Sequence, residues 1–478
     1  MSLLAAQLLL ICLSGWFMAL RLLPLSGPGR YALCLGLGGL FGLISTGALT
    51  WLTLAVSGVV LAWVPLAFLL VLALVTEALV RVGLFWSRPL VQWSSPLAER
   101  SLSRWELALG ALFLALIVLR LLSLLPDVLM RPLFAWDAWT VWGYEARVWL
   151  ETGRYVEFLP RSDWLDAPAE AFLREGLIAY PRLVPALILW ASAGSETWTG
   201  VGPGLLWLLA AGLTALILYG ALRQLDLPLP WALGAAYAWL SIPLLNAHIA
   251  LYGYADIWVC ALLGAFAALL MLGELKQQRL WFVLACLAVL PLPLIKEEGL
   301  YWLLCAAAAL LAGWRRIGPR ALLALSLAGL GGLMTAQMLG IDLVGMITRG
   351  RLSLTVDELP NALLGAARHA FFWFDWHLFV PIALVVMVML LIKPRLAAGM
   401  LALSAFCLLG LLLLWVITPM TGASAFLAVG TLFSRLLLHL SAALLLLCAL
   451  VLYRLLADQH GDWNIGSSAL QPRLGMRV

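Results

Sequence analysis

The residues best suited to chemistry in this chain lie where apolar stretches end. Asp137 belongs to a stretch over residues 134–149 that reads F-A-W-D-A-W-T-V-W-G-Y-E-A-R-V-W. An apolar run of about twenty residues precedes it, so the stretch is predicted to lie where a membrane meets water. Wound as an α-helix, it places Asp137, Tyr144 and Glu145 on one face, because residues three, four and seven apart stack together. Asp137 and Glu145 are therefore candidate catalytic carboxylates, and Tyr144 is a candidate substrate-binding residue. The simpler alternative is an interfacial anchor helix with solvated charges.

Further ionisable and polar groups lie at the ends of later apolar runs. Asp256 closes the sequence Y-G-Y-A-D, with Tyr254 as its second tyrosine, just before a run long enough to cross a membrane. The simpler alternative for Asp256 is a first-turn carboxylate that the helix dipole stabilises. Lys296, Glu297 and Glu298 lie between two apolar runs that almost no loop separates, where solvated turn residues are the alternative. All five are candidate substrate-binding residues.

The remaining candidates for substrate binding are cations and histidines in the second half of the chain. Arg435 and His439 are four residues apart, so they share one face of a helix, and a histidine within a leucine-rich helix needs a polar partner. Arg349 and Arg351, in the sequence T-R-G-R, are either a phosphate clamp or plain loop charges. His377, which lies among several aromatic residues, is either a substrate-binding residue or an interfacial histidine with its own partner.

The elements that must position these residues are predicted from composition. Of 478 residues, 64% are hydrophobic and 11% are charged, which excludes a water-soluble globule and indicates a single all-α polytopic membrane domain, 1–478. The seven cysteines all fall in apolar runs without metal-ligand spacing, so neither disulfides nor zinc are indicated. The net charge of +5 is spread over short clusters and forms no basic face, which disfavours nucleic-acid binding.

The apolar runs predict about thirteen membrane spans. With the N-terminus outside, each basic cluster lies on the cytoplasmic side, as does the tail 454–478. The segment 127–200 is then a large outer loop with amphipathic interfacial helices, in which Leu183 to Ala193 is too short to cross and is a candidate re-entrant segment. The predicted spans are 3–20, 31–55, 58–81, 105–126, 203–222, 229–246, 256–273, 279–295, 299–314, 320–340, 376–392, 397–417 and 435–453.

This topology brings nearly every ionisable group outside the basic clusters to one membrane face, which indicates a shared polar cavity. The set of groups suits the transfer of a sugar from a lipid phosphate. An acceptor hydroxyl is a weak nucleophile that a carboxylate base activates, and a departing phosphate is best stabilised by arginine. Indole rings favour the membrane interface and offer flat apolar faces to a sugar ring.

Four short sequences along the chain carry a family resemblance. In order they are F-A-W-D-A-W-T-V-W-G-Y-E-A-R, Y-A-D, K-E-E-G and R-L-L-L-H-L. Together with the predicted topology they resemble the GT-C superfamily of membrane glycosyltransferases. The closest similarity is to members that use polyprenyl-phosphate sugars, including the lipid A aminoarabinose transferase and protein O-mannosyltransferase groups.

The resemblance implies an inverting transfer from an undecaprenyl- or dolichyl-phosphate sugar to a lipid, glycan or protein acceptor. It also implies a bacterial inner membrane with the active site facing the periplasm. The chain has no Asp-x-Asp or Glu-x-Asp pair at the first sequence, so a divalent metal is not favoured, and no other cofactor is expected. By analogy with the family, Asp137 is the general base or orients the acceptor, Asp256 and Glu297 or Glu298 shape the donor or acceptor site, and Lys296 and Arg435 hold the phosphate.

Two other functions fit the same residues. An O-antigen ligase or polymerase would use a lipid-diphosphate glycan and rely on Arg349, Arg351 and Arg435. The third hypothesis is a non-enzymatic lipid or glycan transporter. Transporters often show internal repeats and charges at mid-membrane depth, whereas this sequence shows no convincing repeat and its polar groups gather at one edge.

Overall fold

The computed structural model describes residues 2–82, 102–168, 171–173, 180–193, 198, 200–313, 359–393, 396, 399–420 and 432–460. The structure is about 80% helical. Seven of the described helices are long and apolar enough to cross a membrane. The predicted all-α membrane architecture is confirmed at this level. Of the predicted spans, 320–340 lies outside the described residues.

Eighteen α-helices are found within the described ranges. The seven long apolar ones begin at Ser2, Arg30, Val64, Arg104, Val201, Asp256 and Phe433. The bounds are α1 Ser2–Leu22, α2 Arg30–Ser57, α3 Val64–Arg81, α4 Arg104–Met130, α5 Gly143–Thr152, α6 Arg161–Trp164, α7 Leu183–Ser192, α8 Val201–Gln224, α9 Leu229–Leu240, α10 Pro243–Ala250, α11 Asp256–Lys276, α12 Arg279–Val289, α13 Leu292–Ile295, α14 Gly299–Ala312, α15 Leu359–Phe371, α16 Phe379–Ile392, α17 Leu401–Met420 and α18 Phe433–His460.

Helix α11 is the centre of the bundle. It packs against α8, α12 and α18, and every residue of its most apolar 18-residue stretch is buried within the protein. The helix has 21 residues, which corresponds to about 31 Å, close to the thickness of the hydrocarbon core. Its first residue, Asp256, and its last, Lys276, therefore lie about one bilayer thickness apart.

The outer helices expose apolar side chains instead. In the most apolar 18-residue stretch of α4, only 11% of the residues are buried. Helices α1 and α2 approach each other so closely that a Cβ at Gly15 would overlap the backbone of Gly38. Helix α4 begins at a capping box, in which the Ser103 hydroxyl accepts from the Glu106 N–H and the Glu106 carboxylate accepts from the Ser103 N–H. An exposed apolar helix of this length is typical of a surface that faces lipid.

Two predicted spans are each divided between two helices. The range 279–295 is divided between α12 and α13 by a turn at Leu290 and Pro291. The range 229–246 is divided between α9 and α10, and Ile242 between them is not helical. The physical reason is Pro243, which lacks an N–H to continue the helix and disfavours a helical conformation at the residue before it. The break turns α10 towards the first turn of α11, where His248 is placed near Asp256.

The segment between α4 and α8 holds short elements, as predicted for the first outer loop. A π-helical turn, Ala138–Trp142, leads into α5. The strands β1 Phe158–Leu159 and β2 Phe172–Leu173 pair in parallel, with Phe158 opposite Phe172. Helix α7 follows, and all ten of its residues are buried, so this apolar helix packs inside the protein although it is too short to cross a membrane.

Candidate active site

Asp256 lies at the centre of a buried polar cluster at the first turn of α11. Its side chain is 0% exposed. Oδ1 accepts from Lys296 Nζ at 2.9 Å and lies 2.8 Å from His439 Nε2. Oδ2 accepts from Arg435 Nε at 3.1 Å and from Arg435 Nη2 at 2.9 Å. Since a carboxylate offers about four lone-pair sites, the hydrogen-bonding capacity of Asp256 is filled.

His439 has its tautomer set by its two neighbours. The indole of Trp302 can only donate, and its Nε1 lies 3.0 Å from His439 Nδ1, so Nδ1 must be the acceptor. The proton of the neutral imidazole is then on Nε2, which donates to Asp256. The sequence predicted that His439 needs a polar partner, and the structure shows two, Asp256 and Trp302. The sequence did not identify Trp302 as one of them.

Asp137 joins the cluster from the other side of Arg435. Arg435 Nη1 donates to Asp137 Oδ2 at 2.5 Å, although the two residues are 298 positions apart in the chain. The Asp137 side chain is 31% exposed and that of Arg435 is 18% exposed. The exposed fraction of the side chain therefore falls from Asp137 through Arg435 to Asp256. The cluster has an outer end at Asp137 and a buried end at Asp256.

Lys296 and the two glutamates after it line a second side of the cluster. Lys296 is buried, and its Nζ lies 3.1 Å from Glu298 Oε1 as well as 2.9 Å from Asp256. Burial alone would raise the pKa of Glu298, but the Lys296 ammonium outweighs it and the pKa is lowered. Glu297 is half-buried beside them. Lys296 is thus buried and the two glutamates are half-buried, so these residues are not the solvated turn that was the simpler alternative.

Tyr254 and His248 close the cluster over Arg435. The Arg435 guanidinium carbon lies 4.7 Å from the Tyr254 ring centre, a cation–π contact. Burial, followed by the Asp137 charge, raises the pKa of Tyr254. His248, a residue that sequence reasoning did not select, packs its ring 5.2 Å from that of Tyr254, and its Nε2 is 3.9 Å from Asp256 Oδ2. Its Nδ1 lies 2.9 Å from the Leu244 carbonyl, which can only accept, so Nδ1 carries the proton.

The contacts described for Glu145 and Tyr144 are with residues other than Asp137 and Arg435. Glu145 Oε2 lies 3.8 Å from Arg182 Nε, and the Tyr144 ring packs on Phe158 at 5.5 Å. The π-helical turn Ala138–Trp142 lies between Asp137 and these residues, so the regular α-helix from which their common face was predicted is interrupted there. Whether they share one face with Asp137 stays a prediction.

The remaining predicted residues lie apart from Asp256 or beyond the described ranges. His377 is an exposed turn residue with φ of 48°, and the contacts described around Asp256 do not include it. Its neighbour Asp375 is the residue that reaches α18, accepting from the Ser434 hydroxyl at 2.8 Å, and buried His369 lies 3.4 Å from the same hydroxyl. Arg349 and Arg351 lie outside the described residues.

Tryptophans beside Asp137 indicate the depth of the cluster in a membrane. Trp136 and Trp139, on either side of Asp137 in sequence, are 71% and 55% exposed. Exposed indole rings are favoured at the level of the lipid headgroups. The exposure of these two rings favours a position near a membrane interface for the outer end of the cluster.

Within the described ranges, no group of three or more His, Cys, Asp or Glu side chains is arranged to hold a metal ion. Whether a divalent metal takes part stays a prediction. Compared with protein-family models, curated proteins and solved structures, the chain matches none of them.

Proposed function

We propose that this protein is an inverting glycosyltransferase that moves a sugar from a polyprenyl-phosphate donor to an acceptor hydroxyl at the non-cytoplasmic membrane face. The observation that carries the proposal is the meeting of Asp137, Asp256, Lys296 and Arg435 in one hydrogen-bonded cluster. These residues are distant in sequence, and they combine a partly exposed carboxylate with two cations.

The two aspartates suit different roles. Asp256 is buried and filled by four donors, so it fixes Lys296 and Arg435 in place and has no lone pair left for a substrate proton. Asp137 is more exposed and is held by Arg435. Asp137 is therefore the better general base, and the cations beside it are suited to a departing phosphate.

The chemical step is a single displacement. The acceptor oxygen forms a bond to the anomeric carbon as the bond from that carbon to the phosphate oxygen breaks, and the acceptor proton passes to Asp137. The leaving phosphate monoester carries the electron pair of the broken bond, and Arg435 and Lys296 stabilise its charge. One displacement inverts the anomeric configuration.

The membrane arrangement belongs to the same proposal. Thirteen spans would be reached if the shorter apolar helices α12, α14, α16 and α17 cross together with the long ones and with predicted spans 229–246 and 320–340. The ends of α11 support the orientation, because Asp256 lies at one end while Lys276 and Arg279 lie at the other, as the positive-inside rule expects of a cytoplasmic edge. The proposed site then faces the periplasm of a bacterial inner membrane.

The test is transfer of radiolabel from a panel of polyprenyl-phosphate sugars and diphosphate-linked glycans into membranes that contain the wild-type chain or Asp137→Asn. We expect product with the wild-type chain and a loss of about 10² to 10⁴ in rate with Asp137→Asn, the range for a general base. Wild-type rates in the variant would remove Asp137 from the mechanism. Transfer only from diphosphate-linked glycans would indicate a ligase or polymerase, and uptake without a new glycosidic bond would indicate a transporter.

A further inference from the structure

We propose that Asp137 and the donor phosphate compete for the same guanidinium nitrogen, so that the base is released only when the donor lipid binds. In this arrangement, which rests on the proposed function, the Asp137–Arg435 pair is the resting state. A phosphodiester oxygen takes the place of Asp137 at Arg435 Nη1, and the freed carboxylate is then able to accept a proton.

The geometry of Arg435 favours an exchange. Nε and Nη2 donate to Asp256 at 3.1 and 2.9 Å and Nη1 donates to Asp137 at 2.5 Å, so three of the five guanidinium N–H groups are used in the described contacts. The Tyr254 ring covers the face of the guanidinium at 4.7 Å. The two N–H groups that are left belong to Nη1 and Nη2, so an anion that binds there in the plane of the guanidinium lies beside a carboxylate of the same charge, and repulsion favours the departure of that carboxylate.

Asp137 is the carboxylate that leaves. Asp256 is fully buried and accepts from Lys296 and His439 as well, so displacing it would leave several buried charges without partners, which is strongly destabilising. Asp137 is 31% exposed, so water can take over its hydrogen bonds when it swings away. The exchange is thus confined to the exposed end of the cluster.

The charge balance supports the same order of events. With both histidines in their neutral forms, Asp137, Asp256, Glu297 and Glu298 contribute four negative charges and Lys296 and Arg435 contribute two positive ones, a net charge of −2. This net charge disfavours the addition of an anion to the intact cluster. Once the phosphate has bound, its negative charge favours protonation of a carboxylate left beside it, which suits Asp137 to a base that acts after donor binding.

The test measures binding and does not need turnover. The probe is a short-chain polyprenyl monophosphate, titrated into the detergent-purified full-length chain as wild type, Asp137→Asn and Asp137→Ala. Removing the competing carboxylate should tighten binding of this lipid by on the order of tenfold, while transfer is lost. A residue that merely supported the site would weaken binding when replaced.

Asp127→Asn is the matched control. Asp127 is 33% exposed and pairs with Arg131 at 2.6 Å, so its replacement removes the same charge from a similar ion pair away from Arg435. Binding should change by less than about twofold in this variant. Equal tightening in Asp127→Asn would show a general charge effect and overturn the exchange.

The other outcomes of the binding experiment also test the exchange. Unchanged or weaker binding in Asp137→Asn and Asp137→Ala would overturn the exchange even if the wild-type chain transfers sugar. Failure of both variants to fold would overturn it as well, since a pair that opens in every turnover cannot be needed for folding. Tighter binding in the variants with no sugar transfer by the wild-type chain would keep the exchange and refute the proposed function.

Discussion

At the scale of single residues, the cluster shows how the protein handles charge in an apolar setting. Asp256 is tolerated because four donors surround it, and the two histidines nearest to it stay neutral in opposite tautomers, His439 as a donor and His248 with its lone pair on Nε2. Neutral histidines keep further positive charge away from a site that already holds two cations. The stability of this arrangement should therefore depend on pH.

The pKa of His248 predicts whether stability rises or falls with pH. Burial lowers the pKa of His248 from 6.5 to about 4. Between these values the unfolded chain binds a proton that the folded chain does not, so stability is lost as pH falls from about 6.5 towards 4. The loss should approach about 3 kcal/mol for this residue and should stop growing below pH 4. Thermal unfolding in detergent across this range measures it, and His248→Gln should flatten the profile relative to the wild-type chain. An unchanged profile would contradict this assignment.

Sequence reasoning succeeded best at this scale. Asp137, Asp256, Lys296 and Arg435 were selected because charge at an apolar boundary is costly and needs partners, and the structure brings the four together. His377 was selected from the sequence, yet it is exposed, whereas His248 and His369 are buried and His369 lies beside Ser434. Nothing local in the sequence distinguishes them, because burial depends on how distant helices pack.

At the scale of elements, a π-helical turn directly follows Asp137. The common face of Asp137 and Glu145 was predicted from the period of an α-helix, and this period does not hold within the turn. Gly143 closes this turn by donating its N–H to the Ala138 carbonyl. A five-residue turn of this kind has no distinctive hydrophobic period, which is why the sequence pattern did not reveal it.

Gly143→Ala tests the importance of the turn. A Cβ at Gly143 would lie 2.5 Å from the Ala138 oxygen and 2.7 Å from Leu133 Cδ2, so the turn would have to shift. We expect a destabilisation of about 1 to 3 kcal/mol and a clear loss of sugar transfer. Gly212→Ala is the control, because its Cβ meets no atom within 4 Å in the middle of α8, and it should be neutral or stabilising by up to about 1 kcal/mol. Equal effects of the two substitutions would argue against a special role for the turn.

At the scale of the whole molecule, hydropathy predicted the class of architecture and not its details. Long apolar helices such as α11 were found where the sequence predicted spans. The division at Pro243 was missed because an apolar run reads as continuous even where the backbone is broken. Helix α7 was recognised as too short to cross, but its complete burial follows from neighbours that are remote in sequence.

Sidedness is the prediction that belongs to this scale. Ser162 is exposed in the segment between α4 and α8, and Gln278 is exposed just beyond the end of α11 that is opposite to Asp256. All seven native cysteines are buried and should give little background. A membrane-impermeant maleimide should label Ser162→Cys from the periplasmic side and Gln278→Cys only after the membrane is opened. Labelling of both positions from the same side would contradict the proposed orientation.

The four donors on Asp256 also limit how the protein can move. They come from the segment before α14 and from two successive turns of α18, and they converge on the first residue of α11. Sliding α11 against α18 by one helical turn, about 5.4 Å, would break the three bonds from Arg435 and His439 together. Asp256 therefore holds α11 and α18 in one register, and turnover should proceed through swings of side chains at the exposed end of the cluster, without a rocking of one half of the bundle against the other.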